Sequence, residues 1–178
     1  MWLSLDSLGC VDEVMEQAAF WLTLSAAATT GLLAGASLDQ LIKQLPARHR
    51  IGIEAYSAYS QAADLGNGIL FYSMLGVGSA LLAVAAAVVV CLAALPGAVS
   101  VPAVLGALFA VLHSLTTARA APTNFSQRRV QGDPAALSRV FNRFTRWHAA
   151  RTVLQMINFG VLLWAVVALL RHVHNLTN

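Results

Sequence analysis

Four long apolar segments constrain this chain more than any other feature of its sequence. They cover residues 17–42, 66–95, 101–117 and 149–170, and the centre of the second, GSALLAVAAAVVVCLAAL, carries no charge. A helix needs about 20 apolar residues to cross the ~30 Å hydrocarbon layer of a bilayer, and each segment reaches or approaches that length. The chain is 58% hydrophobic and 11% charged, against ~45–50% and ~25% in soluble domains. We therefore predict an all-α, four-helix transmembrane bundle that forms one integral-membrane domain over residues 1–178.

The first apolar segment is expected to stay in the protein as a membrane span. A secretory signal begins with basic residues, whereas residues 1–16 contain four acidic residues and no Lys or Arg. The apolar run is also longer than the ~7–15 residues of a signal sequence.

The basic residues predict the orientation of the bundle. Ten of the eleven Lys and Arg residues fall within 43–65 and 119–151, the two longer connections and their borders, and the remaining one is Arg171. Lys and Arg accumulate in cytoplasmic loops. Both connections are therefore expected in the cytoplasm and both termini outside, N-out and C-out, in the plasma or inner membrane.

Helical patterns extend the second and fourth spans on the predicted cytoplasmic side. Asp133 followed by Pro134 is a typical helix start, an N-cap carboxylate before a proline at the first helical position. Residues then recur at spacings of three and four, which places them on one stripe of a helix that continues into the fourth span. The members of this stripe are Leu137, Phe141, Phe144, His148, Arg151 and Gln155. Residues 47–65 are expected to extend the second helix, with Tyr56 and Tyr59 at the membrane interface.

Polar side chains in or beside apolar spans are unfavourable, so they are the first candidates for function. On the fourth helix they fall within an arc of roughly 80° at ~100° per residue. The members of this arc are His148, Arg151, Gln155 and Asn158. Asp39 of the first helix and His113 of the third lie at the same end of the bundle. We predict a pocket there that opens near the cytoplasmic face.

A structural interpretation of the same residues stays open. Arg151 would then extend to lipid headgroups, or pair with Asp39 to close the bundle. Gln and Asn side chains within spans commonly hydrogen-bond neighbouring helices.

No metal or other cofactor is expected. A non-haem iron site needs two His and a carboxylate, and the candidates His113, His148 and Asp39 lie on three different helices. The same two His are the candidates for a bis-His haem. Cys10 and Cys91 are expected to be free thiols, because nothing in their spacing demands a bond. The basic residues are explained by topology, so no nucleic-acid partner is expected.

Short motifs in three helices carry a family resemblance. A glycine-rich first span (TTGLLAGASL) is followed by Pro122-Thr123-Asn124, where we expect the chain to leave the third helix, and by FTRWHAARTVL entering the fourth. This pattern resembles the anthrone oxygenase-like family, small four-helix membrane proteins with many bacterial members, over residues 20–170. Fungal members are associated with cofactor-free oxidation of polyketide anthrones to anthraquinones.

The resemblance implies a site and a chemistry. The matching residues are Asn124, Trp147, His148 and Arg151. An anthrone has an acidic CH between two aromatic rings, so oxidation needs a base, a cation that stabilises the enolate, and a flat apolar slot. His148 would be the base and Arg151 its electrostatic partner, Asn124 and Gln155 would orient phenolic oxygens, and Trp147 would stack on the rings. Asn158, Asp39 and His113 complete the expected pocket.

Three functions are therefore weighed. The first is binding of a lipophilic aromatic or quinone-like molecule, with cofactor-independent oxygenation as its enzymatic form. The second is a non-enzymatic accessory or scaffold subunit, as a homo-oligomer or in a larger membrane complex, with Arg139, Arg143 and Arg146 on membrane lipids. The third is a haem-carrying redox protein.

Overall fold

The chain folds into helices joined by short turns. The computed structural model describes the backbone of residues 5–177 and the side chains of residue 11 and residues 13–175, and within that backbone there is no strand. In chain order the elements are α1 (Leu5–Asp39), a first π segment (Gln40–Gln44), α2 (Leu45–Ile51), α3 (Ile53–Ala62), a second π segment (Ala63–Asn67), α4 (Gly68–Leu92), α5 (Gly97–Phe125), a 3₁₀ turn (Ser126–Arg129) and α6 (Pro134–Thr177). The predicted all-α fold is confirmed.

Four helical stretches are long and apolar enough to cross a membrane. They are Glu13–Ile51, Ile53–Leu92, Gly97–Arg129 and Pro134–Asn175. Large apolar side chains project outward from them, among them Leu70, Leu81 and Leu92, each at least 65% exposed. Such a surface suits hydrocarbon rather than water. These helices indicate an integral membrane protein, as the composition predicted.

The long helices form a closed ring in which α1 packs on α4 and α6, and α5 packs on the same two helices. Small residues fill the centre, including Ala26, Ala83 and Ala110 around the fully buried Leu162. Small side chains let helix backbones approach closely, which is how helices associate in membranes. Gly31 of the glycine-rich first span has this role, since a Cβ there would lie 2.7 Å from the Phe159 ring, whereas Gly35 faces open space.

Gly106 offers a direct test of this packing. A Cβ at this position would lie 2.7 Å from Cδ2 and 3.2 Å from Cγ of the buried Leu162. Gly106→Val is expected to destabilise the protein by ~1–3 kcal/mol through overpacking, measured as a lower unfolding midpoint in detergent. The control is Gly160→Val on α6, where a Cβ meets nothing within 4 Å. Equal losses in both variants would contradict close packing at Gly106.

A second core closes the end of the bundle that carries most of the arginines, formed by residues 40–67 and 118–151 and called here the arginine-rich end. It contains the buried side chains Leu45, Tyr56, Leu137 and Phe141. The Tyr56 ring meets Phe141 edge-on at 4.9 Å between centroids. Tyr56 is 1% exposed, so its prediction as an interfacial residue is wrong, whereas Tyr59 is 47% exposed.

Helix ends follow the sequence signals in one place and depart from them in two. Oδ1 of Asp133 accepts a 2.9 Å hydrogen bond from the Ala136 amide, so the predicted cap of α6 is confirmed. The first helical stretch continues to Ile51 and breaks at Gly52, whose φ of 88° favours glycine. The chain also does not leave the third helix at residues 121–124, because α5 continues to Phe125 through Pro122.

Candidate functional site

A cavity of about 220 Å³ lies among all four long helices, on the side of the bundle centre that faces the arginine-rich end. Apolar walls come from residues such as Leu33, Ile69 and Phe144. The polar side chains that line it are Ser37, Gln40, Gln44, Asp64, Tyr72, Ser73, His113, Thr117, Asn124, Arg151 and Gln155. An apolar cavity with a few convergent polar groups is the usual form of a ligand site.

Both π segments border this cavity. The first contributes Gln40 and Gln44, and the second contributes Asp64 and Leu65. A π turn shifts the residues that follow it around the helix axis, and such turns occur frequently at functional sites. The backbone of the second segment is further distorted at Gly66, where φ is −101° and ψ is −109°. The irregular backbone thus coincides with the polar wall.

Arg151 of α6 is the cation of the cavity. Its Nη2 donates a 2.7 Å hydrogen bond to Nδ1 of His148, and its buried Nε has no hydrogen-bond partner among the described residues. The ion pairs in the described part of the chain are Lys43–Asp39 and His172–Glu16, so neither involves this guanidinium. A sheltered charge is costly unless an opposite charge or hydrogen bonds compensate it. Arg151 therefore lines the cavity with a positive charge and an Nε–H group that are available to a ligand.

His148 holds Arg151 in place and does not line the cavity. The ring is fully buried, its Nε2 lies 3.0 Å from the carbonyl oxygen of Ser37, and it stacks on Phe144 at 5.4 Å. A carbonyl only accepts, so Nε2 carries the proton and Nδ1 accepts from Arg151. Both ring nitrogens are then occupied by protein groups. This arrangement suits a positioning residue, and neither nitrogen is left over for a substrate proton or a haem iron.

His113 and Gln155 form a second polar pair, on the cavity wall. Nε2 of Gln155 donates to Nε2 of His113 at 2.7 Å, and Oγ1 of Thr117 lies 3.3 Å from the same ring nitrogen. The His113 proton is then on Nδ1. Oε1 of Gln155 is buried with no partner among the described residues, as is Oδ1 of Asn158 one helical turn further along α6. Buried polar atoms without a protein partner are rare and call for an explanation.

A buried hydrogen-bond chain connects Asn124 to Asp64 across the cavity wall. The fully buried Gln127 donates to Oδ1 of Asn124 at 2.9 Å and to Oγ of Ser60 at 3.3 Å, and Ser60 donates to Oδ2 of Asp64 at 2.8 Å. Ser57 donates to Oε1 of Gln127 at 3.0 Å. The chain fixes an amide and a carboxylate at the cavity. Asp64 and Gln127 were missed from the sequence because Asp64 lies in a π segment and Gln127 in a 3₁₀ turn, where a regular α-helical repeat does not assign side chains to a face.

Four of the eight predicted site residues line the cavity, namely Asn124, Arg151, Gln155 and His113. His148 lies behind Arg151, and Asn158 packs beside Gly106. Asp39 points elsewhere, 2.6 Å from Nζ of Lys43 and 2.7 Å from Nε2 of Gln44, so it does not pair with Arg151. Trp147 lies on the outer face of α6 beside Arg143 and Arg146. The structure does not bring these last two side chains to the cavity.

The remaining candidates for metal or thiol chemistry are dispersed. No group of three or more His, Cys, Asp or Glu side chains with metal-binding geometry occurs among the described residues. Cys91 is a free, exposed thiol, and the side chain of Cys10 lies outside the described residues. The chain matches no family model, no curated protein and no solved structure.

Proposed function

We propose that this protein binds a small, planar, lipophilic molecule that carries an acidic oxygen, such as a phenol, an enol or a hydroxyquinone. The observation that carries the proposal is Arg151, a guanidinium at the wall of an apolar cavity that forms no ion pair among the described residues, although Asp64 lines the same cavity. An anionic oxygen would form the direct ion pair that Arg151 lacks and accept a hydrogen bond from the unpaired Nε. A neutral hydrocarbon would leave both unsatisfied.

The cavity sets the size of the ligand. Its volume of about 220 Å³ is below the ~300–1,000 Å³ typical of sites for drug-sized molecules. A compact aromatic molecule suits it better than a large substrate. Tyr72, Ser73 and Phe125 line the cavity and are also exposed on the surface of the bundle, so a longer molecule has room to extend past them. A lipophilic ligand would enter there from the bilayer.

Placement in the membrane supports the same function. We propose that the arginine-rich end faces the cytoplasm and that both termini lie outside, in the plasma or inner membrane, because ten of eleven Lys and Arg residues lie at that end. The cavity then opens near the cytoplasmic boundary. A ligand that partitions into lipid while exposing one acidic oxygen collects at this depth.

A matched pair of ligands tests the binding proposal. A hydroxynaphthoquinone, whose enol is ionised at neutral pH, is compared with the parent naphthoquinone on protein purified in detergent. The hydroxylated compound is expected to bind about tenfold tighter or more, since a charge-assisted hydrogen bond contributes ~1.5–3 kcal/mol. Isothermal titration gives both affinities. Equal affinities, or no binding of either compound, would overturn the proposal and favour the accessory-subunit function.

Cofactor-free oxygenation, implied by the family resemblance, is the enzymatic form of this function. The observation that favours it is a carboxylate, Asp64, on the same cavity as the Arg151 cation. Asp64 would remove a proton from the ring CH₂ of an anthrone, and Arg151 would stabilise the enolate. Overall the CH₂ carbon loses two hydrogens and gains one oxygen atom from O₂, while the second oxygen atom leaves as water. Oxygen uptake is measured with a dihydroxyanthrone in membranes that carry the parent chain or Asp64→Asn. An enzyme is expected to show uptake that Asp64→Asn abolishes, whereas a binding protein is expected to show no uptake in either.

A further inference from the structure

A second concave surface lies on the outside of α6, opposite the cavity. It has a volume of about 630 Å³ and is lined by Arg139, Asn142, Arg143, Arg146, Trp147 and Ala150. At ~100° per residue this face points away from the stripe that contains Phe141, His148 and Gln155. All three arginines are exposed, and Trp147 is 36% exposed. The surface thus lies on a different face of α6 from the cavity, and it is exposed on the outside of the bundle.

The charge on this surface is uncompensated. None of its three guanidiniums takes part in the ion pairs found between residues 13 and 175. A fourth guanidinium stands at its edge, since Arg48 donates to Oδ1 of Asn142 at 3.1 Å and to Oγ1 of Thr145 at 3.0 Å. Guanidinium groups bind phosphate through paired hydrogen bonds. The surface therefore has the chemistry of a phosphate-binding site.

Further along the helix axis, towards mid-height of the bundle, the same outer face of α6 becomes apolar. Val153, Ile157 and Trp164 continue the line of Arg143 and Arg146, and they are 56%, 42% and 51% exposed. With a rise of 1.5 Å per residue, Arg146 and Ile157 are ~16 Å apart along the axis, about half of the ~30 Å hydrocarbon layer. The arginines match the phosphate of a phospholipid. The exposed apolar side chains that follow them extend over about the depth of one leaflet and match its acyl chains.

We propose that this face of α6 binds an anionic phospholipid. Its phosphate would lie between Arg143 and Arg146, its acyl chains along Val153 and Ile157, and Trp147 at the depth of the headgroups. A soluble polyanion or an acidic protein would use the arginines but leave the apolar continuation unexplained. The site does not depend on any ligand of the cavity.

Lipid retention by the full-length protein tests the proposal. Phosphatidylglycerol and phosphatidylcholine are titrated onto the detergent-purified chain and followed by native mass spectrometry. Each basic residue near a membrane surface strengthens binding of anionic lipid about fivefold, so Arg143→Gln/Arg146→Gln is expected to weaken phosphatidylglycerol binding about 25-fold. Phosphatidylcholine binding should stay weak and change little.

The control removes the same charge at the same end of the bundle. Arg50→Gln/Arg119→Gln alters two exposed arginines away from α6 and is expected to leave phosphatidylglycerol binding within about twofold. An equal loss in the control would show general attraction and overturn the site. Equal binding of both lipids, or full competition by glycerophosphoglycerol without acyl chains, would also overturn it. Quenching of Trp147 by brominated phosphatidylglycerol, measured against Trp147→Phe, reports the position of the bound lipid independently.

Discussion

Replacing Arg151 with methionine is expected to weaken binding of a hydroxynaphthoquinone strongly while changing the stability of the empty protein much less. Methionine keeps most of the volume of the side chain but removes a charge that forms no ion pair with any described residue. Loss of one member of a buried, hydrogen-bonded charge pair costs ~2–5 kcal/mol, so the affinity should fall about 30-fold to several thousand-fold. In the absence of ligand, methionine removes a partly sheltered charge but also gives up the hydrogen bond to His148. These two contributions offset each other, so the stability should change by no more than ~1–2 kcal/mol.

The large loss of affinity beside a small change in stability is what makes the test informative. A purely structural arginine would show lower stability on replacement, with any loss of affinity following from misfolding. Titration calorimetry gives the affinity, and thermal unfolding in the same detergent gives the stability. Arg119→Met on α5 is the control, since Arg119 is exposed and does not line the cavity. A strong loss of stability in Arg151→Met would contradict a functional role for the guanidinium.

Two substitutions at His148 are expected to separate its two hydrogen bonds. Oδ1 of an asparagine occupies about the position of the histidine Nδ1, so His148→Asn keeps an acceptor for Arg151. The amide nitrogen of a glutamine occupies about the position of Nε2, so His148→Gln keeps a donor to the Ser37 carbonyl. We expect His148→Asn to bind the hydroxynaphthoquinone within about threefold of the parent, and His148→Gln to lose about tenfold or more.

Stability should rank the two variants in the other order. His148→Gln retains the bond between α6 and α1, whereas His148→Asn gives up that bond and ring packing on Phe144, at a cost of ~1–3 kcal/mol. His148→Leu, which lacks both bonds, should lose affinity and stability together. If anthrone-dependent oxygen uptake were abolished equally by Asn and Gln while hydroxynaphthoquinone binding survived in both, His148 would be the base and the positioning role would be wrong.

Parts of this molecule that depend on simple periodicity were predictable. The stripe on α6 is buried as expected at Leu137, Phe141 and Phe144 because spacings of three and four place residues on one helix face. The Asp133 cap forms because a carboxylate before Pro134 satisfies an amide of the first turn. The positions of Arg151, Gln155 and His113 along the apolar spans placed them at one end of the bundle, and the family resemblance added Asn124. All four line one cavity.

The rest depended on features that periodicity does not encode. A π turn rotates the residues after it, so neither Gln44 nor Asp64 could be assigned to a face from a regular helical repeat. Tyr56 looks interfacial by residue type, but α2 and α3 fold over the end of the bundle and enclose it. Trp147 and His148 are neighbours in sequence and therefore point about 100° apart, which sends one side chain outward and the other into the core.

The two π segments have a consequence for how this cavity can change over time. Each segment holds about one more residue in its turn than the α-helix around it, so deleting one residue would restore the regular helix and leave the residues beyond it in nearly the same orientation. Such a deletion at Gln40–Gln44 or at Ala63–Asn67 would change the part of the polar wall that these segments supply, which includes Gln40, Gln44 and Asp64. The interior packing around Leu162 would stay as it is. Length changes of one residue at these two segments are therefore expected to alter the ligand preference of the cavity without substitutions in the core.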